Sequence, residues 1–185
     1  NTNSGSYDIF LVKYNSSGNK LWTKQLGTSY IDMGEGVTTD SSGNIYVTGD
    51  TKGGLDGNTN SGGYDIFLVK YNSSGTKQWT KQLGTSSGDS GNGVTTDSSG
   101  NIYVTGYTDR TGNENIILVK YNSSGTILWT KQLGTSSDER GNSVTTDSSG
   151  NIYLTGYTKG GLDGNINSGN FDIFLMKYNS SGIGQ

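Results

Sequence analysis

The segment DIFLVKYNSSG at residues 8–18 returns as DIFLVKYNSSG at 65–75, NIILVKYNSSG at 115–125 and DIFLMKYNSSG at 172–182. The starts at 8, 65, 115 and 172 give intervals of 57, 50 and 57 residues. Periods of this size belong to arrays in which each unit is one supersecondary element that buries its apolar face only against its neighbours. The short interval comes from one loop. TKGGLDGNTNSGGY follows Asp50, whereas only TDRTGNE follows Tyr107.

The rest of each unit is nearly constant. LWTKQLG, QWTKQLG and LWTKQLG carry Trp22, Trp79 and Trp129; GVTTD, GVTTD and SVTTD follow, then GNIYVTG, GNIYVTG and GNIYLTG. Each unit therefore offers four strand-sized segments. In GNIYVTG, Ile45 and Val47 point to one face and Tyr46 and Thr48 to the other, as a period of two requires. In DIFLVKY, Ile9 and Leu11 oppose Phe10 and Val12, so both faces are apolar and the strand belongs between two layers. DSSGN (40–44, 97–101, 147–151) and NSSG (from 15, 72, 122 and 179) read as tight hairpin turns.

Composition agrees with an array. Only 29% of the 185 residues are hydrophobic, little for one large core, and 31 glycines supply turns. The net charge of −3 and the dispersed lysines form no basic patch, which argues against nucleic acid as a partner. No apolar run approaches a membrane span, and NTNSGSYD at the start lacks a signal-peptide pattern, so any targeting segment is expected outside this sequence. There is no Cys, hence no disulfide or thiolate metal site, and no His to serve as general base.

Through KYNSSGxxxWTKQLG and TTDSSGNIYVTG the chain resembles the bacterial β-propeller repeat family often called SBBP; quinoprotein-type and NHL-type propeller repeats are similar but less close. The resemblance implies all-β propeller blades of four antiparallel strands on a secreted or cell-surface bacterial protein. By likeness to related propellers, GVTTD lies innermost, then IYVTG, then IFLVKY, with the Trp strand outermost. Gly and Thr suit a crowded axis, and Lys20 and Lys24 suit an outer edge, where Lys discourages pairing with other chains. The expected organisation is two outer strands at 7–27, whole blades at 34–84 and 91–134, and three strands at 141–178. These thirteen strands, about three blades' worth, fall short of the roughly four to eight blades of a ring. An incomplete ring needs further propeller blades, from the same or another chain.

Antiparallel succession places the tight turns at one end of the blades. The opposite end collects the long loops and the blade-to-blade loops TSYIDMGE (28–35), TSSGDSGN (85–92) and TSSDERGN (135–142). Binding residues concentrate on loops held by a rigid scaffold. The expected binding face is therefore Tyr30, Asp32, Met33, Asp89, Asp109, Arg110, Asp138, Glu139 and Arg140, with a protein or glycan as ligand. The other reading is that these are unconstrained loop residues.

The long loops alternate oxygen-bearing side chains: Asp56, Asn58, Asn60 and Asp65, then Asp163, Asn165, Asn167 and Asp172. Such spacing can wrap calcium. Against this, Ser61 and Ser168 stand where a calcium loop has Gly, no Glu closes the set, and Asn and Gly also make ordinary turns. Asp40, Asp97 and Asp147 read as turn formers, and the three Trp and Tyr14, Tyr71, Tyr121 and Tyr178 as blade packing. The Asn-Ser-Ser triplets match a glycosylation sequon but read as turns. No catalytic set or resident cofactor is expected. The leading functional reading is a non-enzymatic scaffold or binding module. The alternatives are a propeller enzyme, such as a quinoprotein-like oxidoreductase or lyase with an axial site, and a purely structural repeat.

Overall fold

The structure is a computed structural model and describes residues 3–109 and 112–185. Its strands are β1 (Ile9–Tyr14), β2 (Lys20–Leu26), β3 (Asp32–Thr39), β4 (Ile45–Thr51), β5 (Asp65–Tyr71), β6 (Lys77–Leu83) and β7 (Ser90–Thr96). They continue as β8 (Ile102–Thr108), β9 (Asn115–Tyr121), β10 (Ile127–Leu133), β11 (Glu139–Thr146), β12 (Ile152–Thr158) and β13 (Asp172–Tyr178). Single 3-10 turns at Leu55–Gly57 and Leu162–Gly164 punctuate the two long loops. No helix among the described residues is long and apolar enough to cross a membrane.

Every strand pair is antiparallel, in four sheets ordered β1-β2, β3-β4-β5-β6, β7-β8-β9-β10 and β11-β12-β13. The strands carrying Val-Thr-Thr lie side by side, β3 against β7 and β7 against β11, so they form the inner edge shared by successive blades. They begin three or four residues before the GVTT or SVTT core, at Asp32, Ser90 and Glu139, and each carries a register shift at its glycines. The fold is all-β, built of propeller blades, and the described sheets close no ring.

The two-faced third strand is what the packing uses. Ile66 and Leu68 of β5 join Val94, Ile102, Val104 and Tyr121 of the following blade, whereas Phe67, Val69 and Tyr71 join Ile9, Ile45 and Val47 on the other side. A buried Ile or Leu contributes roughly 1.5–3 kcal/mol, so a repeat with few apolar residues still holds when each core strand serves two interfaces. At the ends of the array the same positions lie bare: Phe10 is 74% exposed, Ile173 91% and Leu175 74%.

The tight turns stitch units together. Asp40 Oδ1 accepts from the Ser42 and Asn44 amides, and Oδ2 accepts from Asn44 Nδ2 and the Tyr46 hydroxyl; Asp97 and Asp147 repeat this set. Lys13, Lys70 and Lys120 donate to the carbonyls of Ser73, Ser123 and Ser180 in the next unit's NSSG turn. Trp79 and Trp129 are half-buried against Tyr46 and Tyr103, ring centroids 6.2 Å apart in both cases.

Candidate functional site

At the loop end of the blades the structure divides the expected binding residues into two groups. Asp32, Asp89 and Glu139 are buried, at 1%, 0% and 0% exposure. Asp32 accepts from the Thr28 amide, the Thr28 hydroxyl and the Thr51 hydroxyl; Asp89 accepts from the Thr85 amide and hydroxyl; Glu139 accepts from those of Thr135 and from Thr158. Their reading as surface binding groups is corrected to that of internal anchors. The Thr four residues earlier caps the loop onto the carboxylate, and the inner strand starting there carries the carboxylate inward. Desolvation by burial raises the Asp89 pKa, against hydrogen bonds from Thr85 and the Asp109 amide. Asp109 itself has a left-handed φ of 64°. Tyr30 is 57% exposed and Met33 half-buried. Arg110 lies outside the described residues.

Asp138 and Arg140 instead line a pocket of about 200 Å³ with Gly112, Glu114, Tyr157, Lys159 and Phe171, between the third and fourth sheets. The Arg140 guanidinium takes both carboxylate oxygens of Glu114, through Nε and a terminal nitrogen, and lies 4.2 Å from the Tyr107 ring centroid. Lys159 pairs with Asp138 at 2.5 Å and sits 5.0 Å from the centre of the Phe171 ring. Phe171 meets Tyr157 edge to face at 5.0 Å. The Lys159 hydrogen bond, helped by the Glu114 amide, holds the Asp138 carboxyl below its ordinary pKa. The Glu114 carboxylate raises that of Arg140. The pocket thus presents two ion pairs beside the rings of Tyr157 and Phe171, with the Arg140 and Lys159 side chains 34% and 41% exposed.

Glu114, Tyr107, Tyr157, Lys159 and Phe171 were not among the expected site residues. A signal existed. Superposing the units puts Glu114 where the others have Tyr7, Tyr64 and Phe171, and Arg140 where they have Met33 and Ser90. The charge that enters one unit is answered in the next.

The residues read as a calcium set are directed apart. Asp56 adopts φ 52°, ψ 37° in its 3-10 turn and turns to Lys77 and the Thr80 hydroxyl of β6. Asp65 Oδ2 accepts from the Ser61 amide and Gln82 Nε2. Asn58 and Asn60 donate to the carbonyls of Leu55 and Thr51. In the last unit Asn165 and Asn167 donate to Leu162 and Thr158, Asp172 accepts from the Ser168 amide, and Asp163 is exposed. These bonds close the loops on themselves or, from Asp56 and Asp65, tie the first of them to β6, and among the described residues no three acidic side chains gather as a metal-binding group.

The same units appear in known proteins. Residues 98–127 match a domain of unknown function, DUF5122, described as a beta-propeller. The chain is 34% identical over 123 residues to an uncharacterized WD repeat-containing protein, L264, of Acanthamoeba polyphaga mimivirus, covering 57% of this chain and 9% of that protein. It is 27% identical over 110 residues to the regulatory protein FlaEY of Caulobacter vibrioides (strain ATCC 19089 / CIP 103742 / CB 15), covering 55% of this chain and 12% of that protein. The chain therefore spans about a tenth of the length of these relatives. Residues 21–56, 78–112 and 128–163 match the repeat described as SBBP, Beta-propeller repeat, each match running from an outer strand into the inner two strands of the next sheet. Covering more than half of the sequence and falling at one phase of the observed blades, these matches establish that the chain belongs to the SBBP β-propeller repeat family.

Proposed function

We propose that this chain is a non-enzymatic propeller module that binds a protein partner through its loop face, centred on the pocket of Arg140, Lys159, Tyr157 and Phe171. The observation that carries the reading is that pocket's chemistry. Arg and aromatic side chains grouped on a rigid frame are what protein interfaces use as anchors, and partly exposed ion pairs of both signs give orientation. Blades locked by inner-strand contacts, such as Asn92 Nδ2 to Gly141 O at 2.8 Å, hold the face still. The relatives fit a scaffold: one is named for WD repeats and the other is a regulatory protein. Secretion or display at the surface of a bacterial cell is part of the proposal and rests on the family resemblance; fractionation of the producing cells tests it.

A photo-crosslinker placed at Ser137 on the loop face should capture a partner that one at Ser148 on the turn face does not, and Arg140→Ala with Lys159→Ala should abolish capture. Equal capture from both faces would sink the proposal. Glycan arrays probed in parallel, with binding lost in the same double variant, would replace protein by glycan as ligand.

A further inference from the structure

At the turn end of the blades, a pocket of about 250 Å³ opens between the DSSG turns at 97–100 and 147–150, lined as well by Lys120 and by Ser180 of the last NSSG turn. The two DSSG turns join β7 to β8 and β11 to β12, and Lys120 belongs to β9, which pairs with both β8 and β10. The pocket therefore belongs to the junction between the third and fourth sheets.

Lys120 is only 8% exposed, whereas Lys13 and Lys70 at the equivalent positions are half-buried. One N–H of its ammonium donates to Ser180 O at 2.8 Å, and the group stands 5.3 Å from the centre of the Tyr103 ring. Among the described residues it pairs with no carboxylate. Asp97 lines the same pocket, but its acceptor positions are already filled. The Ser99 and Asn101 amides donate to Oδ1, and Asn101 Nδ2 and the Tyr103 hydroxyl donate to Oδ2. The hydroxyls of Ser98, Ser99, Ser148, Ser149 and Ser180 have no hydrogen-bond partner among the described residues. A mostly buried cation with spare N–H groups thus shares a pocket with the hydroxyls of three turns. Such a site is rich in donors and short of one negative charge.

We infer that this pocket binds a tetrahedral oxyanion, a phosphate or sulfate group, on Lys120 and the turn serines. A Lys ammonium holds such a group as a point charge, and hydrogen bonds between charged partners are the strong ones. The shape of the ion follows from where the donors stand. A carboxylate offers two oxygens in one plane, whereas a tetrahedral oxyanion offers oxygens in several directions and suits donors arriving from three turns and a strand. The turns are braced by their own Asp and Asn hydrogen bonds before any ion arrives, so little ordering opposes binding. This site lies at the end of the blades opposite the Arg140 pocket and stands whether or not the loop face binds a partner.

The test titrates the isotope-labelled 185-residue chain with inorganic phosphate, sulfate, glycerol phosphate and glycerol at constant ionic strength, following its amide resonances. The oxyanions should saturate at about 1–10 mM, with shifts confined to the two DSSG turns, Lys120 and Ser180, and glycerol should produce none. Tighter binding of glycerol phosphate than of the free ion would assign a phosphate carried on an organic body, and equal binding the free ion; both uphold the site. Lys120→Gln should weaken binding by about tenfold or more. Ser148→Ala with Ser149→Ala, on an exposed turn, should weaken it severalfold at an unchanged melting temperature, which keeps the test decisive if the Lys120 variant folds poorly. Any of four results would overturn the inference: no saturation by about 50 mM oxyanion, glycerol binding equal to that of its phosphate, shifts centred elsewhere, or full binding by either folded variant.

Discussion

Thr28 and Asp32 stand four residues apart, as do Thr85 and Asp89, and Thr135 and Glu139. In each case the buried carboxylate accepts the amide and hydroxyl of the Thr. Asp32→Ala would leave the Thr28 amide and the Thr28 and Thr51 hydroxyls without their acceptor. It should cost about 2–4 kcal/mol in urea unfolding. The turn carboxylates set the pH dependence. Burial alone would raise the Asp40 and Asp97 pKa, but hydrogen bonds led by Asn44 and Asn101 outweigh it and hold both below the ordinary 3.8; at Asp147 the Asn151 bond dominates. A folded pKa below the unfolded one means stability that is complete above pH 3.8 and lost as pH falls through the lower, folded value. Asp89, raised by burial, works in the opposite sense, favouring the fold below its unfolded pKa. Melting temperature should hold from neutrality to about pH 5 and drop below about pH 4. An Asp97→Asn variant, melted across the same range, should show a shallower drop.

At the scale of the element, the inner strands depend on a bulge. Register shifts fall between Gly34 and Gly36, Gly91 and Gly93, and Gly141 and Ser143. Each shift presses a carbonyl onto the glycine of the neighbouring strand: a Cβ added at Gly106 would lie 1.8 Å from Ser90 O. Gly106→Ala should therefore abolish folding or cost more than about 3 kcal/mol, read by circular dichroism and denaturant melts. Gly93 is a milder case, since its added Cβ would meet Asn142 O and Ser143 Cα at 3.1 Å. Ser143 occupies the equivalent place in the last sheet, where no further inner strand lies alongside among the described residues. The expectation that Gly suits a crowded axis was legible because the repeat wrote Gly there twice. The bulge was not legible, since it arises from pairing across two strands and not from either one.

At the scale of the 185-residue chain, the described residues leave two apolar sheet faces bare. One presents Phe10, Tyr14 and Val37, the other Ile173 and Leu175. Contiguous exposed apolar surface of this kind drives association. Light scattering over a concentration series should show the chain self-associating. Ile173→Lys with Leu175→Glu should lower the apparent mass without altering the β-sheet circular dichroism spectrum.

The sequence by itself determined the repeat, the four strands of each unit, their turns and the two-faced character of the third strand. These are local matters: a period of two, the φ preferences of Gly and the short reach of Asp and Asn are written within a few residues. Only the tertiary structure decided which loop charges face inward, as Asp32, Asp89 and Glu139 do, and which meet across blades, as Glu114 and Arg140 do from 26 residues apart. It also aimed Asp56 across the loop at Lys77 and Thr80 of β6. A polar side chain takes the partner that folding brings within about 3 Å, and in a radial array that partner sits on another strand.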